Sequence, residues 1–191
     1  MADLVTAAKR LSERTLVGPS LVRRWRHVRG VGRRAAELCS AVAGDDGGIL
    51  VAAAWLHDIG YSPLAAKTGL HALDGARYLE REGWPGRVVA LVAHHTCARY
   101  EAEERGLGGA LAAYPCENSP VMDALVSADL TTSPDGQLVA AENRIVEILE
   151  RYPDDHPVHT AITKAQDVLL DHVRRTEERL FAGPTPSCSG E

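Results

Sequence analysis

AWLHDIGY, residues 54–61, closes an apolar run with an adjacent histidine and aspartate, and the reading of these eight residues decides the fold. From Ile49 to Leu56 the chain is hydrophobic on every side of a helix, which predicts a buried helix rather than a surface one. His57 and Asp58 therefore fall at the inner end of a core helix. A carboxylate there is costly unless it is paired or bound to a metal, because buried charges need partners. Gly60 and Pro63 stop the helix within a turn of the pair. Imidazole and carboxylate are left at a helix end with room above them for an ion or a substrate.

Working outward towards the N-terminus, GDDGG at 44–48 is a loop, and before it a helix is expected from Ser20 to about Ala43. His27, Val31, Ala35, Leu38 and Val42 share one face of that helix at three- and four-residue steps, so His27 points at the core. Arg24 lies one turn before His27 on the same side. Gly30 and Gly32 weaken the helix but let another helix pack closely. Leu4 to Val17 reads as an amphipathic packing helix closed by Gly18-Pro19.

Towards the C-terminus, residues 62–69 are irregular, and His71 begins a helix that runs to about Glu82. Trp84-Pro85 opens the next, where Val88, Leu91, Val92 and His95 share a face; His94 falls on a mixed edge with Arg87. Short helices and a surface loop are expected from Arg99 to Pro120. From Pro120 to Leu130 the stripe Met122, Leu125, Val126 again ends in an acid, Asp129. Ser133-Pro134-Asp135-Gly136 is a turn, followed by helices over Leu138–Tyr152 and Pro157–Phe181. The composition of residues 183–191, GPTPSCSGE, predicts a disordered tail. No strand-like alternation or repeat stands out, so the fold class is all-α. One domain is expected over residues 1–182, with its site core at about 20–132 and a helical extension at about 138–181.

The length of 191 residues, 45% hydrophobic and 25% charged, fits one ordinary globular domain. A net charge of -5 argues against a general nucleic-acid binder. The four cysteines have no CxxC spacing, which disfavours a zinc finger or disulfide framework and fits a reducing cytoplasmic compartment. The N-terminal stretch MADLVTAAKRLSERTL has no continuous apolar core, so no signal peptide is expected, and no run is long enough for a membrane span.

His27, His57, Asp58, His95 and Asp129 are all side chains that bind metals, and all fall on buried faces or helix ends. One such histidine alone reads as a hydrogen-bonded core residue. Five delivered by several helices to one bundle core read as a metal site. Imidazole and carboxylate suit iron, manganese, zinc or nickel. Six arginines (Arg23, Arg24, Arg26, Arg29, Arg33, Arg34) make the second helix basic. Most read as a solvated face, but Arg24, and next Arg23, four residues before His27, lie on the ligand side. A guanidinium fork there suits phosphate. Lys67 and Arg99 are weaker candidates. His156, His159 and His172 read as surface residues, Asp74 as a solvated carboxylate, and Trp25, Trp55 and Trp84 as core anchors.

In order and spacing, His27, His57-Asp58 and Asp129 resemble the HD superfamily of metal-dependent phosphohydrolases, whose pattern is a histidine, a His-Asp dipeptide and a distant aspartate. The resemblance covers roughly residues 20–132 and implies an all-α helical bundle with the metal site in its core. Two-metal subgroups add two histidines, and His71 and His95 occupy those places. The diadenosine tetraphosphatase-like branch has a similar His-Thr after an apolar helix, which favours His95; the cyclic-dinucleotide phosphodiesterase branch uses a His-His pair, which keeps His94 in the ligand set. The glutamate and Gly-Tyr-Pro of the latter branch are missing here, and Tyr61 stands where many members carry lysine. RRWRH is similar to the Arg-x-x-His of the HD nucleotide triphosphohydrolases, which implies that Arg24 grips a phosphate.

The resemblance thus implies one or two divalent metal ions, Asp58 as the catalytic bridge between them, and a small phosphorylated, nucleotide-like substrate. Nucleic acid and membrane are not expected as partners. A di-iron oxygenase that uses the same ligands is the alternative, and a regulatory module with an idle site is the third reading.

Overall fold

The computed structural model describes residues 2–182, so the tail expected at 183–191 lies outside the described residues. Ten α-helices run in the order α1 (Ala2–Thr15), α2 (Val22–Glu37), α3 (Gly47–Leu56), α4 (His71–Arg81), α5 (Gly86–His94), α6 (Arg99–Glu104), α7 (Gly108–Leu111), α8 (Pro120–Leu130), α9 (Ala141–Arg151) and α10 (Pro157–Ala182). Among the described residues no strand occurs beyond an isolated bridge between Thr132 and Leu138. The fold is all-α, and among the described residues no helix is long and apolar enough to cross a membrane.

α3 is the axis. Leu50, Ala52, Ala53, Ala54 and Leu56 have no exposed surface, as the all-round apolar sequence requires, and α1, α2, α5 and α8 pack about them. The helix α2 comes close to its neighbours through its glycines. A Cβ on Gly30 would lie 2.6 Å from the Gly136 Cα, and one on Gly32 would lie 2.6 Å from the Trp55 ring. α8 begins at Ser119, whose Oγ accepts the Met122 amide at 3.2 Å, with Pro120 in the first turn. α10, the longest helix, lies along α8, α6 and α9.

Two helix ends depart from expectation. α2 stops at Glu37 rather than near Ala43, because the Leu38 amide already shares the Arg34, Ala35 and Ala36 carbonyls and the chain tightens into a 3-10 turn over Leu38–Ala41. α9 starts at Ala141 rather than Leu138. The bridge between Thr132 and Leu138, with the Val139 amide donating to the Thr131 carbonyl at 3.0 Å, holds residues 138 and 139 extended.

Asp74, read as solvated, is buried, and His172, read as a surface residue, is only partly exposed. Asp74 accepts the amides of Lys67 and Thr68, both at 2.8 Å, and the Thr68 hydroxyl at 2.9 Å, so its charge organises the irregular loop before α4. His172 donates to Asp123 at 2.5 Å, and Arg175 and Arg179 reach the same carboxylate, each at 2.7 Å. Burial alone would push Asp123 up, but hydrogen bonds from His172, Arg175 and Arg179 outweigh it and hold the carboxyl below the usual carboxylate range. This group ties α10 to α8.

Candidate metal centre

Five elements deliver six side chains to one cluster under the bundle's rim. His27 comes from the inner face of α2, His57 and Asp58 from the end of α3, His71 from the first turn of α4, His95 from the break after α5, and Asp129 from the last turn of α8. Their donor atoms form two groups, His27 with His57 and Asp129, and Asp58 with His71 and His95, each with its atoms within 4.8 Å of one another. All are buried except His71, which is partly exposed.

Backbone carbonyls orient three of the imidazoles. Nδ1 of His57 donates to the Ala54 carbonyl at 2.7 Å, Nδ1 of His95 to that of Val92 at 2.6 Å, and Nδ1 of His27 to that of Ser133 at 3.1 Å. With Nδ1–H so used, the free lone pair is on Nε2, and every Nε2 faces the cluster. Nε2 of His57 is buried without a hydrogen-bond partner. Nε2 of His71 lies 3.1 Å from Nε2 of His95, close enough for one cation to be shared between them. Asp58 faces both groups: Oδ1 is 3.5 Å from His71 Nε2, while Oδ2 is 3.3 Å from His57 Nε2 and 3.8 Å from His27 Nε2. Asp129 turns Oδ1 to His27 Nε2 at 2.9 Å and accepts the Thr96 hydroxyl on Oδ2. Four nitrogens and two carboxylates with an orphaned donor among them fit divalent transition metals.

The electrostatics point the same way. Burial pulls His57 down, yet Asp58 and Asp129 outweigh it and push the imidazole up to about 9, so the cluster draws positive charge to that Nε2. Burial takes His71 down to about 3 and also lowers His95, which keeps both in the neutral form a metal needs. Burial raises Asp58 too, but Arg24 and His57 hold it well below the usual range, and Asp129 is likewise lowered by His27 and His57.

Local backbone decides two placements. Gly60 lets α4 sit against the end of α3: a Cβ there would be 1.9 Å from the His71 carbonyl oxygen. α5 ends at His94, and Thr96 and Cys97 have φ of 50° and 55°, the left-handed region that is strained for such residues. His95 thus points inward because the helix breaks before it, not because it continues the stripe of Val88, Leu91 and Val92.

His94, also expected among the ligands, is set apart from the two groups. Its Nε2 meets the Tyr114 carbonyl at 2.9 Å, and it belongs to neither group of donors. Arg24 is at the cluster, donating to Asp58 Oδ2 at 2.5 Å, with its guanidinium 3.9 Å over the Tyr61 ring. Tyr61 in turn stacks on His71 at 4.4 Å. Arg23 is not beside the ligands; it is mostly exposed, 4.0 Å from Asp135. Lys67 and Arg99 are also absent from the walls above the cluster.

Above the ligands opens a cavity of about 780 Å³, counting the open solvent at its mouth. Arg24, Tyr61 and Thr96 edge its floor, and Arg144, Ile148, Arg151 and Tyr152 with Val158 and Ile162 form the opposite wall. That wall comes from α9 and the start of α10, to which the sequence reading gave no role in the site. Thr96 and Tyr61 were equally hidden, since one depends on a left-handed break and the other on a stack across two elements.

The sequence model of a family described as HD domain matches residues 24–152, more than half of the chain and all six ligand candidates. No curated protein and no solved structure matches this chain.

Proposed function

The chain belongs to the HD domain family, and from that premise we propose that it is a phosphohydrolase that cleaves a phosphate ester or anhydride in a small, nucleotide-like substrate with one or two divalent metal ions. The observation that carries this reading is the division of Asp58, one oxygen towards each group of three donors, beside an arginine that opens onto the same cavity. His27, His57 and Asp129 would hold one ion, His71 and His95 the other, and Asp58 would bridge them. Bound there, a divalent ion polarises a phosphoryl oxygen and lowers the pKa of a bound water towards neutrality.

The protein supplies the rest. Carbonyls of Ala54, Val92 and Ser133 keep the imidazoles aimed inward, so little reorganisation is needed when charge develops on the substrate. Arg24, stacked on Tyr61 and anchored by Asp58, presents a pre-oriented guanidinium to phosphate oxygens. Leu130, Ile148 and Ile162 narrow the solvent around the site and strengthen those contacts.

The nitrogen-rich donor set with no thiolate also suits iron, which keeps the oxidative alternative in play. Protein loaded with iron or manganese separates the readings when phosphate release from nucleotides is measured alongside oxygen uptake. Phosphate release without oxygen uptake is expected. Oxygen uptake without phosphate release supports the oxygenase, and neither activity supports the regulatory module.

A further inference from the structure

A second cavity, of about 530 Å³ counting the open solvent at its mouth, adjoins the first and shares Arg24, His27, Tyr61, Arg144 and Arg151 with it. Its remaining walls are Ser20, Leu21, Arg23 and Pro134, so four arginines line it and no carboxylate does. The nearby acids are outnumbered. Arg144 and Arg151 share the single carboxylate of Glu147, and Arg23 shares Asp135 with Arg26. Arg24 has Asp58, which also faces three histidines. Arg144 is 6% exposed, and its Nε is buried with no hydrogen-bond partner. A buried guanidinium N–H left unmade costs free energy that an oxygen acceptor would recover. Converging guanidinium groups repel one another until an anion lies between them, and their planar forks match phosphate oxygens.

We propose that this arginine cavity binds a second phosphate of the substrate, so that the molecule cleaved carries at least two phosphoryl groups, one at the metal ligands and one among Arg23, Arg144 and Arg151. The proposal rests on the phosphohydrolase reading for the first phosphate. Arg24, which lines both cavities, stands at their junction and contacts the bridge between the two groups. A substrate with one phosphate fills only the floor of the site; a nucleoside polyphosphate or other polyphosphorylated metabolite fills both.

The test is calorimetric titration of metal-loaded protein with inorganic tripolyphosphate and with orthophosphate. Wild type should bind tripolyphosphate at least tenfold tighter, with one ion per chain. The doubly substituted Arg23→Gln/Arg151→Gln protein, which leaves the buried Arg144 in place, should lose about ten- to a hundredfold in tripolyphosphate affinity and little in orthophosphate affinity. Arg144→Lys, if folded by circular dichroism, should show the same selective loss, because an ammonium cannot replace the fork. Equal losses for both ions, or no loss for either, overturn the proposal. Two tripolyphosphate ions per chain also overturn it, since they place a separate anionic effector in the arginine cavity. Phosphate release, assayed in parallel, keeps the two readings apart. A selective calorimetric loss without any hydrolysis leaves the arginine subsite and removes the hydrolase, whereas hydrolysis unaffected by the arginine substitutions in KM for di- and triphosphates does the reverse.

Discussion

A histidine whose Nδ1 is tied to a backbone carbonyl has one nitrogen left to give, and His27, His57 and His95 all turn it towards the same cluster. Apolar periodicity made these three legible, together with Asp58 and Asp129, because each ends or interrupts a hydrophobic stripe. His94 shows the limit of that reading. Adjacent to His95 in sequence, it is turned away by a backbone break, and its Nε2 is already engaged with Tyr114. His95→Ala should therefore lose metal while His94→Ala keeps it, as elemental analysis of the two variants would show; equal losses would mean that the pair binds jointly. Thr96 acts through Asp129, whose Oδ2 it holds while Oδ1 faces His27 and His57. Replacing it with valine, which keeps the shape and removes the hydroxyl, should weaken metal binding by about 10- to 100-fold, the usual loss for an outer partner of a ligand. An unchanged dissociation constant would show that Asp129 needs no such support.

At the scale of elements, the helices that carry ligands were predicted from their stripes and stop signals, while what joins them was not. Asp74 read as a solvated carboxylate because its partners are loop amides, and nothing in the sequence near Asp123 pointed to its partners on α10, some fifty positions away. Asp123→Asn should cost about 3 kcal/mol at pH 7, at the low end for breaking a buried pair, since the arginine partners are partly solvated. Because the folded carboxyl titrates below the unfolded one, near 3.9, the stabilisation is complete above that value and is lost as pH falls further, when the unfolded chain takes up the proton first. The gap between wild-type and variant unfolding free energies should shrink from pH 7 to pH 3, and a constant gap would assign the cost to packing. Gly60 is the hinge of the centre itself. Gly60→Ala places a methyl carbon against the His71 backbone, so α4 must move, costing about 3 kcal/mol of stability. It should also loosen Asp58, His71 and His95 as a group. A variant with normal stability and full metal content would show that α4 tolerates the shift.

For the whole molecule, the site is a joint product of two parts of the chain that the sequence presented separately. Residues 24–130 bring the ligands together, and α9 with α10 roofs them, contributing arginines and an apolar wall. The roof could not be read from periodicity, since a buried arginine on an amphipathic helix looks like any solvated one until the cavity it lines is known. Metal should therefore stabilise the fold as well as serve chemistry, by about 2.7 kcal/mol when free ion exceeds its dissociation constant a hundredfold. Chelation should lower the unfolding temperature accordingly. The most direct measurement is the metal content per chain of protein purified without chelator, beside that of the His71→Ala/His95→Ala protein. If each group of three donors holds one ion, wild type should carry about two equivalents and the double variant about one. One equivalent in wild type, unchanged when both histidines are removed, would contradict the two-ion centre.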